Sequence, residues 1–116
     1  MQGIERQQLF NALADPTRRN IVELLATQGQ MNATDICENF DLSHPAISQH
    51  LKILREAELV HLEKSAQRHL YSLNIDAIHK LEDWVKHMTR NWDDTYDRLD
   101  QVLEAEKREK RAGKGR

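Results

Sequence analysis

The residues best suited to specific chemistry lie on one amphipathic segment, His44–Ala57. Apolar residues at i, i+4 and i+7 predict a helix with one buried side, and these residues are Ile47, Leu51 and Leu54. At about 100° per residue, Ser48, Gln49 and Lys52 fall on the opposite side. A Gln amide both donates and accepts hydrogen bonds, as the major-groove edge of adenine requires, and a Lys ammonium suits a phosphate. The outer side of this helix therefore predicts a surface that reads double-stranded DNA.

The neighbouring segments predict a helix-turn-helix followed by a hairpin. Asn32–Phe40 has a capping pattern and forms the support helix, and Ser43 is placed to cap the second helix. Two segments rich in β-favouring residues, Leu59–Glu63 and Arg68–Leu73, are separated by the polar stretch Lys64–Gln67. A hairpin directly after a recognition helix is the wing of a winged helix. The residues expected to contact DNA are His44, Pro45, Ser48, Gln49, Lys52, Lys64, Gln67 and Arg68.

Two further helices are predicted before this motif. An apolar pattern from Ile4 to Leu13 indicates a short first helix that stops at Asp15. Asp15 is a suitable N-cap for the next helix, and Pro16 suits its first position because a first-turn residue needs no N–H partner. Gly29 is expected to end that second helix.

A long last helix is predicted from residue 75 to about 108, with Asn74 as its cap. Its apolar residues recur with a mean step near 3.6, close to a heptad seam, and they are Ile78, Leu81, Val85, Met88, Trp92, Tyr96, Leu99 and Leu103. Such a helix would be about 50 Å long, more than so small a domain can cover. A second copy of the chain is the simplest partner. The expected dimer interface uses the first and last helices, through Leu9, Phe10, Leu13, Leu81, Val85, Met88, Trp92, Tyr96 and Leu99.

Metal-binding and thiol chemistry have weak support in the sequence. His79, Asp83 and His87 follow one another at i, i+4 and i+8, which places the two histidine backbones about 12 Å apart. One ion lies about 2 Å from each ligand nitrogen, so a site within one chain is not expected and these residues remain weak candidates. Cys37 is expected to be a small buried residue. No metal or other cofactor is predicted.

Length and composition exclude several classes of protein. A chain of 116 residues with one cysteine has room for one domain, no internal disulfide and no multi-cysteine zinc site within one chain. It lacks an apolar run long enough to span a membrane, and it begins without a secretory signal, so a cytoplasmic protein is expected. It also lacks a Gly-rich phosphate loop or a paired nucleophile and base, so an enzyme is not expected.

Charge is unevenly distributed along the chain. The net charge is −2, but residues 75–106 sum to −5 and residues 107–116 to +5. Residues 43–70 lean positive and contain four of the six histidines, which leaves room for a DNA-binding face within a near-neutral total. We predict a winged-helix DNA-binding and dimerisation domain over residues 1–108 and a basic disordered tail over 109–116.

Two long blocks resemble the ArsR/SmtB family of bacterial and archaeal transcriptional repressors. They are Phe10–Leu25, which contains Asp-Pro-Thr-Arg-Arg, and Leu42–Val60, the recognition-helix block; the similarity continues through Arg68–Leu73 and covers about residues 4–105. The resemblance implies a mainly α winged helix-turn-helix with a small β-hairpin. It also implies a homodimer that represses transcription by binding a palindromic operator. Within the family the Asp-Pro-Thr-Arg-Arg run is a structural signature.

The chain departs from the family pattern where inducers bind. Arsenic sensors of the family carry a Cys-x-Cys pair, whereas this chain has Asp35-Ile36-Cys37-Glu38. Its zinc sensors carry Asp-x-His pairs on the last helix, whereas Asp76 and His79 are three residues apart. The sequence Leu-Glu-Asp-Trp at 81–84, with a second Trp on the same helix, is similar to a subgroup that represses without metal.

Two glycines of the family pattern are also missing. Glu58 stands where relatives usually have Gly, so the turn after the recognition helix is expected to be built in another way, and the wing lacks its usual Gly. Two other functions stay open for the whole chain. One is a metal- or thiol-responsive derepressor of the same family, and the other is an adaptor that binds proteins through its long last helix. The effector is not identified.

Overall fold

The computed structural model describes residues 5–114, and the side chains of residues 5–110. Within that range the chain is mainly helical with one two-stranded antiparallel hairpin, as predicted. Ile4, expected in the first helix, lies outside the described residues. The elements in order are α1 Arg6–Leu13, α2 Pro16–Gln28, α3 Ala33–Cys37, α4 His44–Glu56, β1 Val60–Ser65, β2 Arg68–Leu73 and α5 Ile75–Lys114.

The helix starts confirm the predicted caps. The side chains of Asp15, Asn32 and Ser43 accept hydrogen bonds from the backbone N–H groups of the residues three positions later. Each bond satisfies one of the N–H groups that a helix start leaves without an intrahelical partner. Gly29 ends α2 with φ of 80°, a conformation that glycine adopts without steric cost. The support helix α3 ends at Cys37, three residues earlier than predicted.

The chain divides into two compact units, residues 1–81 and 82–116. The first contains the hydrophobic core, in which the apolar faces of α1–α4 meet the start of β1 and the first turn of α5. The fully buried large side chains are Leu9, Ile21, Leu25, Ile36, Ile47, Leu51, Leu54 and Leu59. Three of these lie on α4, so burial fixes which side of α4 faces solvent.

The hairpin is tighter than the sequence suggested. Ser65 pairs with Arg68 and Lys64 with His69, so Lys64 and Ser65 belong to β1 instead of to the loop. Only Ala66 and Gln67 remain between the strands, and Ala66 takes a φ of 54°. The prediction of a four-residue loop was wrong, because strand pairing continues up to Ser65 and Arg68 and leaves a two-residue turn. Met31 adds an isolated bridge to Tyr71.

The turn after α4 is built around Glu58 in the left-handed conformation, with φ of 61°. Our expectation of a different turn was wrong: the chain keeps the geometry that suits glycine and forces a side chain into it. The N–H of Leu59 donates to the carbonyl of Leu54 at 3.0 Å, and the buried Asn74 amide donates to the Glu58 carbonyl at 2.7 Å. One local and one tertiary hydrogen bond thus hold a conformation that costs about 1–2 kcal/mol for a non-glycine residue.

Replacing Glu58 by Gly should therefore stabilise the protein by about 1 kcal/mol, because glycine adopts this φ without the Cβ clash. The matched control is Glu56→Gly, two residues earlier in the last turn of α4, which should cost up to about 1 kcal/mol as a helix-interior glycine. Chemical denaturation of both variants measures the two effects. A loss of stability in both would contradict the strain assigned to Glu58.

Asn74 precedes α5 as predicted, but its side chain has another partner. Its backbone carbonyl accepts hydrogen bonds from the N–H groups of Ala77 and Ile78 at 3.1 and 3.3 Å. Its side-chain amide donates to the backbone carbonyl of Glu58. Asn74 therefore joins the start of α5 to the end of α4.

The second unit is the remainder of α5, which continues to Lys114, six residues past the predicted end. Ala, Glu, Lys and Arg dominate its last turns and are strong helix formers, and Lys107 lies 4.0 Å from Glu104. Residues 109–116 were predicted to be a disordered tail. Residues 109–114 belong to α5, and residues 115 and 116 lie outside the described range. Among the described residues, none of the helices combines the length and hydropathy that crossing a membrane requires.

Candidate nucleic-acid interface

Helix α4 is positioned by its cap and by its buried side. The Ser43 hydroxyl accepts the N–H of Ala46 at 3.3 Å, and Pro45 occupies the first turn, where its missing N–H leaves no bond unmade. Ile47 and Leu51 are fully buried, so the helix cannot rotate without exposing them. Ser48 and Gln49 are consequently held on the solvent side.

All eight residues expected to contact DNA have exposed side chains. His44, Pro45, Ser48, Gln49 and Lys52 lie on α4. Lys64 is the second-last residue of β1, Arg68 is the first residue of β2, and Gln67 lies in the turn between the strands. The structure thus brings the residues into two groups, one on the helix and one at the tip of the hairpin that follows it.

Arg55 is a basic residue of this surface that the sequence analysis missed. It is exposed in the last turn of α4 and follows Ser48 and Lys52 at i+7 and i+3, so the three side chains form one outer stripe. The same i, i+4, i+7 spacing that revealed the apolar stripe would have found it. A guanidinium there adds a second cation for a phosphate backbone.

A polar cluster behind α4 was also missed. The Arg18 side chain donates from Nε to the Ala12 carbonyl at 2.7 Å, and its Nη1 lies 3.4 Å from Nδ1 of His50. Asp15 Oδ2 lies 3.8 Å from the same ring nitrogen. The N–H of Arg18, which donates to this carboxylate at 3.0 Å, is the main cause that lowers the pKa of Asp15.

The two arginines of the Asp-Pro-Thr-Arg-Arg run act as helix caps. Arg18 donates to carbonyls of Asn11 and Ala12, and Arg19 donates to those of Leu13 and Ala14 at 2.8 and 3.2 Å. These carbonyls lie at the end of α1, where the last carbonyl groups of a helix have no N–H partner within the helix.

The residues expected at a dimer interface fall into two classes. Leu9 is fully buried in the core of its own chain, so it has no surface to offer a partner, and Leu13 and Leu81 pack partly against that core. The others are large apolar side chains that the single chain leaves exposed, and they are Phe10, Val85, Met88, Trp92, Tyr96 and Leu99. Val102 and Leu103 continue this row on α5, and the rings of Trp92 and Tyr96 meet edge to face at 4.8 Å.

The weak metal candidates His79, Asp83 and His87 are exposed on α5. Within residues 5–114, no three His, Cys, Asp or Glu side chains are grouped so that they could hold a metal ion. Cys37 is buried, and its burial raises the pKa of the thiol, which keeps it protonated and weakly nucleophilic at neutral pH.

Comparison with known proteins agrees with this geometry. The family model described as "Bacterial regulatory protein, arsR family" matches residues 15–61, from the cap of α2 into β1. The transcriptional repressor SdpR of Bacillus subtilis is 43% identical over 77 residues, which cover 66% of this chain and 84% of SdpR. An arsenical resistance operon repressor of Staphylococcus xylosus is 39% identical over 70 residues, covering 60% of this chain and 66% of that repressor.

A solved structure supports the same assignment. The crystal structure of a "possible transcriptional regulator for arsenical resistance" is 36% identical, with a TM-score of 0.61 over 70% of this chain and 82% of that one. The chain therefore belongs to the arsR family of bacterial regulatory proteins, and it is a DNA-binding regulator of transcription with a winged helix-turn-helix, not an enzyme.

Proposed function

We propose that the chain is a homodimeric repressor that binds a palindromic operator, in the cytoplasm, through α4 and the tip of the β1–β2 hairpin. The observation that carries this proposal is the outer side of α4. Ser48, Gln49, Lys52 and Arg55 share the solvent side of a helix whose other side is locked in the core. Gln49 would read a base edge in the major groove, whereas Lys52 and Arg55 would contact phosphates.

The hairpin would add contacts beside the groove. Arg68 directly follows its two-residue turn and Lys64 lies two residues before that turn, so both carry positive charge close to the tip. Their side chains suit the phosphate backbone or the narrow minor groove, where the negative potential is strongest. Gln67 in the turn itself can donate to the same backbone.

The exposed row on α5 supports a second copy as the partner. Trp92 and Leu99 expose 60% and 52% of their surface, which is unusual for large apolar residues repeated along one helix. Pairing two copies would bury this row and give two recognition helices related by a two-fold axis. Two such helices would read half-sites about one DNA turn apart, roughly 10–11 base pairs centre to centre.

Selection of bound sequences from random duplexes tests the proposal directly. We expect a two-fold symmetric consensus, bound by a species of twice the monomer mass in sedimentation. If no consensus is recovered, and the sedimenting mass increases when other proteins are added but not when DNA is added, the adaptor alternative would be favoured.

We expect the response to inducers of the metal-sensing type to be small. Operator affinity should change by less than about threefold with saturating zinc, arsenite or mild peroxide, since an ion needs three or four ligands held at fixed geometry. The selected operator, titrated with and without each agent, provides the measurement. A tenfold loss with zinc that vanishes in His79→Ala or His87→Ala would show a metal site formed by these residues.

A further inference from the structure

The polar cluster behind α4 connects three helices. Arg18 lies in the first turn of α2, its guanidinium bonds to carbonyls at the end of α1, and its Nη1 reaches His50 on α4. His50 and Arg18 are both half-buried, and His50 directly follows Gln49 in the chain. The side chain next to the proposed base-reading residue is therefore attached to the α1–α2 junction.

The chemistry of arginine determines the hydrogen position on the histidine ring. A guanidinium has five N–H donors and no acceptor, so a hydrogen bond across the 3.4 Å contact would use a lone pair on His50 Nδ1, in competition with the Asp15 carboxylate 3.8 Å from the same nitrogen. The neutral ring then carries its hydrogen on Nε2. Two charged groups lie near Nδ1 of this ring, Arg18 of α2 and Asp15, which caps α2, and Arg18 also donates to backbone carbonyls of α1.

We propose that Arg18 and His50 are positioning residues for DNA recognition: the contact from Arg18 to Nδ1 of His50 sets the rotation and height of α4 against α1 and α2. Asp15 holds Arg18 in place by accepting its backbone N–H and by its charge. This inference rests on the proposed role of α4 as the reading helix. It predicts that operator binding is sensitive to an acceptor at the Nδ1 position even though His50 itself is not assigned a contact with DNA.

The first test needs no variant and no DNA. Nitrogen-15 chemical shifts of the histidine rings in the wild-type protein at about pH 8 report the tautomer of each ring. We expect the hydrogen of His50 on Nε2 with Nδ1 as acceptor, and a hydrogen on Nδ1 would overturn the proposal. This measurement stands apart from the proposed function, because it gives the same answer whether or not α4 reads DNA.

The second test is a rescue series. His50→Leu removes the acceptor and should weaken operator binding about tenfold or more, as expected for a lost hydrogen bond to a charged group. His50→Asn places an amide oxygen near the Nδ1 position and should restore affinity to within about threefold of wild type. His61→Leu, a change of an exposed histidine on β1, is the matched control and should leave affinity unaltered.

The control measurements separate positioning from simple instability. Affinity for a random duplex should fall less than affinity for the operator in His50→Leu, because non-specific binding rests on charge attraction to phosphates, which tolerates a small shift of α4 better than base contacts do. Equal loss for operator and random duplex, or failure of His50→Asn to rescue a folded protein, would contradict the proposal. Wild-type protein with the expected tautomer that selects no operator would instead contradict the proposed function.

Discussion

Replacing Trp92 by Ala is expected to dissociate the homodimer. In the single chain Trp92 exposes 60% of its surface, and its ring meets that of Tyr96 edge to face. If two α5 helices bury the row, removing the ring costs about 3 kcal/mol, which corresponds to a dissociation constant raised on the order of 100-fold. Sedimentation equilibrium over a range of protein concentrations measures this change.

Asp94→Ala is the matched control for Trp92→Ala. Asp94 is two residues further along α5, on the other side of the helix, and should leave the association unchanged. Because folding and dimerisation are expected to be linked, the melting temperature of the wild type should rise with protein concentration, and this rise should disappear in Trp92→Ala. A wild-type protein that remains monomeric at tens of micromolar would rule out the dimer.

Replacing Gln49 by Ala is expected to change which sequences are bound. Loss of the amide should relax the preference at one or two base pairs of each half-site, by about 1–3 kcal/mol at each. Lys52→Ala should instead weaken binding to all sequences alike and reduce the slope of log affinity against log salt by about 1. Repeating the selection and the salt titration with each variant separates the two roles.

Gln101→Ala, an exposed glutamine on α5, is the control for the loss of an amide outside the interface. It should leave the consensus and the salt dependence as they are in the wild type. If Gln49→Ala leaves the selected consensus and its affinity unchanged, α4 does not read bases through this residue. If Lys52→Ala changes the consensus, the division between base readout and phosphate contact is wrong.

The sequence by itself determined the elements and the residues at which the helices begin, because those signals are local. A cap depends on one side chain and a backbone N–H three residues later, so Asp15, Asn32 and Ser43 could be assigned from type and position alone. The same holds for the two sides of α4, because the spacing of Ile47 and Leu51 requires only a helix of regular pitch. The outer residues of the candidate interface followed from that pattern.

Only the tertiary structure decided the features that join residues distant in the chain. The left-handed conformation of Glu58 is maintained by the amide of Asn74, sixteen residues away, and it overrides the local preference for glycine. Arg18 and His50 are thirty-two residues apart, and no periodicity links them. Leu9 fits the pattern of an interface residue but lies in the core, since a helical stripe shows that a side is buried without showing what buries it.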